Sequence, residues 1–241
     1  AWIVFHSDEL LLKDRKRQTA LHHACLFRAP AQVIEMMLFQ APELASMANV
    51  DDEIPLHWAV RLSAPKEVIK WLLTVNPASG CLAMDKDGNT ALSLVWDRHE
   101  TVLLNLLWAG RHEELVSHAG WKGVIFFLRC YAYRYWREQS TQGPIVDEES
   151  GAFDDDQVFP FRPLHTAARC PCPESLFSLI LLMHRTQLKE YDEAGRLPLA
   201  VACLDSQSNR SVGALTKIHI LLAEYPGAAH SRDHHGRLPL F

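Results

Sequence analysis

Apolar positions along this chain recur with a helical rhythm. Val33, Ile34, Met37 and Leu38 stand at i, i+1, i+4 and i+5, one face of a helix, whereas a strand would alternate. A second pattern is superimposed. Ala20-Leu21-His22, Pro55-Leu56-His57, Ala91-Leu92-Ser93, Pro163-Leu164-His165, Pro198-Leu199-Ala200 and Pro239-Leu240 repeat one short phrase, and their leucines are 35, 36, 72, 35 and 41 residues apart. The 72 is two steps of 36. A period in this range marks an array in which one small unit stacks on the next.

Each unit has the same grammar. Seven positions before the central Leu stand Asp14, Asn49, Asp85, Gln157, Asp192 and Asp233; four before it stand Arg17, Asp52, Gly88, Pro160, Gly195 and Gly236. Asp or Asn followed by Gly is turn chemistry. Proline in the phrase suits the first turn of a helix, where its missing N–H is no loss. Small residues follow (Ala24-Cys25, Ala59-Val60, Ala167-Ala168, Ala202-Cys203), which lets neighbouring helices approach closely. A second helix is predicted to open at Ala29-Pro30, Ala64-Pro65 and Pro173, and to close at Ala41-Pro42, Asn76-Pro77 and Tyr225-Pro226.

Turn, short helix, second helix and loop in phase resemble the ankyrin repeat, whose pattern is a Thr-Pro-Leu-His-x-Ala phrase after an Asp-x-x-Gly turn. The resemblance implies an all-α, ankyrin-type α-solenoid of helix-turn-helix repeats with short hairpin-like turns. It divides the chain into the end of a preceding repeat (1–13), repeats one to three (14–118), a degenerate fourth repeat with an acidic insert (119–157), repeats five and six (158–231) and the start of a truncated repeat (232–241). The chain lacks an initial Met and stops inside a phrase, which reads as a fragment of a longer protein. Thr survives only at Thr19 and Thr90, so a Thr-to-His side-chain bond is expected only at Thr19/His22. Loss of Gly at Arg17, Asp52 and Pro160 predicts less regular turns there. The final step of 41 predicts an insertion around Asp205–Thr216.

The missing phrase falls near Leu128. There the pattern predicts helix over Leu115–Arg137, with Val124, Ile125, Leu128, Ala132 and Tyr135 buried, then a loop-like insert over Glu138–Gln157. The aromatic residues Trp121, Phe126, Phe127, Tyr131, Tyr133, Tyr135 and Trp136 are mixed with Arg129, Arg134 and Arg137. They read as an enlarged core; a partner-binding patch is the sharper alternative, and base stacking a third. Asp147, Glu148, Glu149, Asp154, Asp155 and Asp156 read as a solvated insert or, alternatively, as a dock for a basic partner.

Composition narrows the function. Twenty-four Lys+Arg against 29 Asp+Glu give a net charge of −5, which argues against a general nucleic-acid binder. No apolar run approaches the length needed to span a bilayer. Six Cys without framework spacing suit reduced thiols and an intracellular, cytoplasmic or nuclear, location. No motif points to an enzyme, a metal or a cofactor. Cys170-Pro171-Cys172 with His165 and His184 lacks a second ligand pair for zinc, and Asp85-Lys86-Asp87-Gly88-Asn89 has its Gly misplaced for a calcium loop.

The resemblance therefore implies binding of another protein on a concave surface. Carried over by position, that surface comprises Asp51, Glu53, Lys86, Asp87, Asn89, Glu193, Arg196, His234 and Arg237 from the turns. Phe27, Arg61, Leu62, Asp97, Arg98 and Arg169 come from the first helices. Alanine at Arg61, Arg98 and Arg196 together is expected to weaken partner capture without lowering Tm. The alternative function is a regulatory or substrate-recruiting array within a larger enzyme, channel or ubiquitin-ligase adaptor.

Overall fold

The structure, a computed structural model, describes residues 7–76, 80–139, 161–208 and 213–239. Every regular element among them is helical. Chain contacts separate two compact units, 1–98 with 133–159, and 99–132 with 160–241. The acidic insert up to Gln157, the turn at Pro160 and Leu240 lie outside the described residues, apart from the helical Glu138 and Gln139.

In the first unit a short α1 (Ser7–Leu10) precedes two helical pairs, α2 (Ala20–Leu26) with α3 (Ala31–Gln40) and α4 (Pro55–Arg61) with α5 (Lys66–Val75). First helix packs on first helix and second on second: α2 meets α4, and α3 meets α5. The repeated leucines Leu21 and Leu56 are fully buried here, with Cys25, Ala59 and Val60 beside them. Ile34, Met37 and Leu38 are the buried stripe of α3, while Val33 is only half-buried. Pro30 and Pro65 immediately precede the second helices, and those helices end at Gln40 and Val75, before Pro42 and Pro77.

Between paired helices the chain reverses through a left-handed residue, Arg28 (φ 53°) or Ser63 (φ 55°). Ala29 N–H donates to Ala24 O at 2.9 Å and Ala64 N–H to Ala59 O at 2.8 Å. This helix-ending bond usually selects glycine, and the sequence carries no glycine to announce it.

The third repeat departs from the two-helix pattern. It has no Ala-Pro phrase, so first and second helices merge into one 18-residue α6 (Ala91–Trp108). A Pro would have removed a donor and forced the break. The expected helix over Leu115–Arg137 is instead two: α7 (His112–Ser117), a break at His118, and α8 (Ala119–Gln139). Gly120 and Gly123 lie inside α8. At Gly120 a Cβ would stand 2.4 Å from the His99 ring, so the close approach requires glycine. Among the described residues of α8, Gly120, Trp121, Val124, Phe127, Leu128 and Cys130 are buried, whereas Ile125, Ala132 and Tyr135 are half-buried. The stripe is thus rotated from the expected one.

The second unit continues with α9 (Pro163–Arg169), α10 (Glu174–Met183), α11 (Pro198–Ser208) and α12 (Ala214–Glu224). Again α9 packs on α11 and α10 on α12. α11 has 11 residues where α9 has 7, so the longer final step is taken up partly as an added helical turn. Short 3₁₀ segments, Pro42–Ser46, Arg185–Lys189 and Pro226–His230, follow α3, α10 and α12.

Candidate functional site

The candidate surface is built on five turns that share one geometry. Their five positions are counted from the Asp or Asn at 14, 49, 85, 192 and 233. The first residue's Oδ1 accepts the backbone N–H groups of the third and fifth at 2.8–3.0 Å. Its own N–H donates to the fifth carbonyl, and the fourth N–H donates back to the first carbonyl. The fourth residue is left-handed throughout: Arg17 at φ 57°, Asp52 at 57°, Gly88 at 83°, Gly195 at 71° and Gly236 at 76°.

The expectation of irregular turns at Arg17 and Asp52 is therefore incorrect; the Asx hydrogen bonds hold the backbone even without glycine. The residual strain remains, since a Cβ in this region costs roughly 1 kcal/mol. Arg17→Gly is expected to raise stability by up to about 1 kcal/mol, and Gly88→Ala to lower it by about as much, both read from urea midpoints. Equal midpoints for Arg17→Gly and the parent would show that the turn stores no such strain.

Within each unit consecutive turns are bonded to one another. Val50 N–H donates to Lys16 O at 3.1 Å, Lys86 N–H to Asp51 O at 2.9 Å, and His234 N–H to Ala194 O at 3.1 Å. The second residue of one turn meets the third of its predecessor each time, setting the tips side by side.

The expected binding residues divide by turn position. Asp51, Lys86, Asp87, Glu193 and His234 occupy second and third positions, and of these all but the half-buried Asp51 are exposed. Lys86 Nζ reaches Asp51 Oδ1 at 2.6 Å across adjacent turns, and Arg162 pairs with Glu193. The fifth-position residues behave differently. Asn49 Nδ2 donates to Glu53 at 3.0 Å, Asn89 Nδ2 to Asp85 at 3.1 Å, and the Arg196 and Arg237 guanidiniums each clasp the first-position Asp at 2.8–2.9 Å. These side chains close their own turn. Glu53 is the extreme case: only 6% exposed, it also accepts Trp58 Nε1 at 2.7 Å and a guanidinium hydrogen bond from Arg61.

Electrostatics follow from this arrangement. Burial opposes ionisation of Asp85 and Asp192, but hydrogen bonds from Asn89 and from Arg196 overcome it and hold both carboxyls below the usual range. At Asp233 desolvation is likewise outweighed, by bonds from Arg237 and His235, and the carboxyl is drawn down to about 2.

Among the first-helix residues, Phe27 is 77% exposed at the C-terminus of α2 and stacks on His23. Leu62 holds the equivalent, half-buried place after α4. Arg28 donates to Leu62 O at 2.9 Å, and Arg98 from α6 donates to Val60 O at 3.0 Å and to Arg61 O and Ser63 Oγ. The C-terminal edges of α2, α4 and the start of α6 are thereby tied together, bringing Phe27, Leu62 and Arg98 to one edge. Asp97 is exposed beside Arg98, and Arg169 is half-buried at the end of α9. Because Arg61, Arg98 and Arg196 all hold intrachain partners, their joint removal is now expected to lower Tm rather than leave stability intact.

Three repeat histidines tie each phrase to a later backbone segment. His22 Nδ1 accepts from Thr19 N–H at 3.1 Å and pairs with Thr19 Oγ1 at 2.9 Å, while its Nε2 donates to Glu53 O at 3.0 Å. At His57, where Ile54 replaces Thr, the backbone N–H alone serves Nδ1, and Nε2 donates to Ala83 O. His165 Nε2 donates to Arg196 O at 3.2 Å; its buried Nδ1 has no hydrogen-bond partner among the described residues. The expected Thr19/His22 bond is present. Burial pushes all three rings towards the neutral form.

Sequence reading misses the clasp role of the fifth position, although it is written in complementary pairs four apart (Asn49/Glu53, Asp85/Asn89, Asp192/Arg196, Asp233/Arg237). It also misses Lys217, a lysine that is only 4% exposed beside the Cys170-Pro171-Cys172 segment. Among the described residues no helix is long and apolar enough to cross a membrane, and no group of three or more His, Cys, Asp or Glu could hold a metal ion. No protein-family model matches the sequence, and no curated protein matches it either.

Proposed function

We propose that this chain is an ankyrin-like repeat array that binds another protein along its turn tips, with no catalytic role. The observation that carries this reading is the turn-to-turn hydrogen bonding. It fixes the backbone independently of the second- and third-position side chains, leaving them available for recognition. Asp51, Lys86 and Asp87 supply charge of both signs in one row, which favours a partner of mixed charge. Phe27 supplies a large apolar side chain on the first-helix edge, the kind of group that anchors interfaces. Six free thiols suit a reducing, intracellular compartment.

The test is lysine-directed crosslinking of the chain in native lysate, read by mass spectrometry, with a Phe27→Ala/Asp87→Lys variant alongside. A reproducible partner crosslinked through Lys16 or Lys86 is expected. The variant should lose at least about 1.4 kcal/mol of affinity, a tenfold change, with unchanged Tm. A crosslink pattern indifferent to the variant would remove the tips and Phe27 from the binding site.

A further inference from the structure

We propose that Cys172 is a peroxide-oxidisable thiol, with Cys170 as its resolving thiol and the Lys217 ammonium as its counter-charge. The site lies where α9 ends and is built from none of the turn-tip residues. Cys170 terminates α9, Pro171 fixes the backbone angle between the two cysteines, and Lys217 enters from the first turn of α12. Lys217 Nζ donates to Ala167 O at 3.0 Å and to Cys170 O at 2.5 Å, and lies 5.7 Å from the centroid of the Phe177 ring. An ammonium removed from water needs negative charge nearby. Two carbonyls at a helix C-terminus provide part of it; a Cys172 thiolate would add to it.

The sulfur stands close to that ammonium. The Cys172 thiol donates to the Ala167 carbonyl at 3.6 Å, the same oxygen that Lys217 Nζ reaches at 3.0 Å. A hydrogen bond from Cys170, followed by the Lys217 charge, outweighs burial and draws the Cys172 thiol below the usual thiol range. Cys25, buried without such neighbours, is pushed up to about 12, and burial also raises Cys203. Thiolate is the nucleophilic form, so Cys172 is activated where Cys25 and Cys203 are not. Cys172 is half-buried, whereas Cys170 is 2% exposed. Two sulfurs fall short of the ligand number that zinc uses.

The chemistry balances with one hydrogen peroxide. The Cys172 thiolate attacks one peroxide oxygen, the O–O bond breaks, and the departing hydroxide takes a proton to become water, leaving a sulfenic acid. Cys170 sulfur, giving up its proton, then attacks the Cys172 sulfur. The S–S bond forms and a second water leaves. Two thiols lose two electrons and peroxide gains them.

The full chain is treated at pH 7 with iodoacetamide and, separately, with equimolar hydrogen peroxide, and each cysteine is followed by peptide mass spectrometry. Cys172 is expected to alkylate about tenfold faster than free N-acetylcysteine, and the peptide holding both cysteines to lose about 2 Da on oxidation. Cys170→Ser should stop at a dimedone-reactive sulfenic acid on Cys172. Lys217→Met should slow alkylation about tenfold, and Lys217→Arg, which keeps the charge, should retain the fast rate even if Lys217→Met folds poorly. Alkylation of Cys172 no faster than the free thiol, or peroxide oxidation that leaves Cys170 reduced in the parent chain, would overturn the assignment.

Discussion

Acidification from pH 7.5 to 5 is expected to lower the urea midpoint of this protein well before its carboxylates titrate. The cause is the set of neutral histidines at equivalent places in the repeat. In His22 and His57 the hydrogen bonds assign the proton to Nε2, because Nδ1 accepts a backbone N–H while Nε2 faces a carbonyl. Protonating Nδ1 would set two donors against each other in a buried site. Burial therefore depresses the folded pKa of His22, His57 and His165, and of His184 as well. With the folded pKa below the unfolded value of about 6.5, the unfolded chain binds more protons in the interval, so stability is complete above about pH 6.5 and falls with pH. Each proton bound only by the unfolded chain costs about 1.4 kcal/mol per pH unit. His57→Gln should flatten the pH dependence by close to one proton's worth. A midpoint constant between pH 7.5 and 5 would show that these rings are not held neutral. A second loss is expected below about pH 4, as the depressed carboxyls of Asp85 and Asp192 finally protonate.

The second large effect is expected at Glu53. Replacing it with Ala leaves Asn49 Nδ2, in a residue only 1% exposed, and the half-buried Trp58 Nε1 without acceptors, and it removes the Arg61 pair. Each orphaned buried donor costs about 1–3 kcal/mol, so Glu53→Ala should lose about 3 kcal/mol or more. Arg61→Ala should lose far less. Its side chain is 47% exposed, the pair is screened accordingly, and Glu53 retains its other two donors. Glu53→Gln should fall between, because one acceptor oxygen survives. The result to check is the order of urea midpoints, with Glu53→Ala lowest, Glu53→Gln next and Arg61→Ala highest of the three. Equal midpoints for Glu53→Ala and Arg61→Ala would mean that the carboxylate matters only as Arg61's partner.

Much of the helical layout is legible in the sequence because it rests on local chemistry. Proline marks where second helices begin and end, the repeated leucines mark the buried line, and Asp or Asn marks the turns. Where reading fails, the deciding interaction is non-local or depends on something missing. Arg17 and Asp52 look wrong for a left-handed position, yet two backbone bonds to the first-position side chain hold that backbone in place. The third repeat merges its helices because a proline is absent, a weaker signal than one present. Period alone places Ile125 and Tyr135 on the buried stripe of α8, while packing selects Trp121 and Phe127. At the candidate surface, turn membership suggests exposure. Glu53 and Arg196 belong to turns and yet face their own neighbours, because the fifth position is the clasp. Lys217 and Cys172 lie 45 residues apart, and no pattern in the sequence joins them.

The shared turn geometry also bears on how such a chain can change. Its second and third positions read Arg15-Lys16, Val50-Asp51, Lys86-Asp87, Glu193-Ala194 and His234-His235, five unlike pairs on one backbone geometry. The residues whose side chains close each turn and the residues at its tip are thus different. A library randomised at those ten positions would vary the tips without touching the side chains that close the turns, at the cost of the Lys86–Asp51 and Arg162–Glu193 pairs, and the native pairs are one draw from that library.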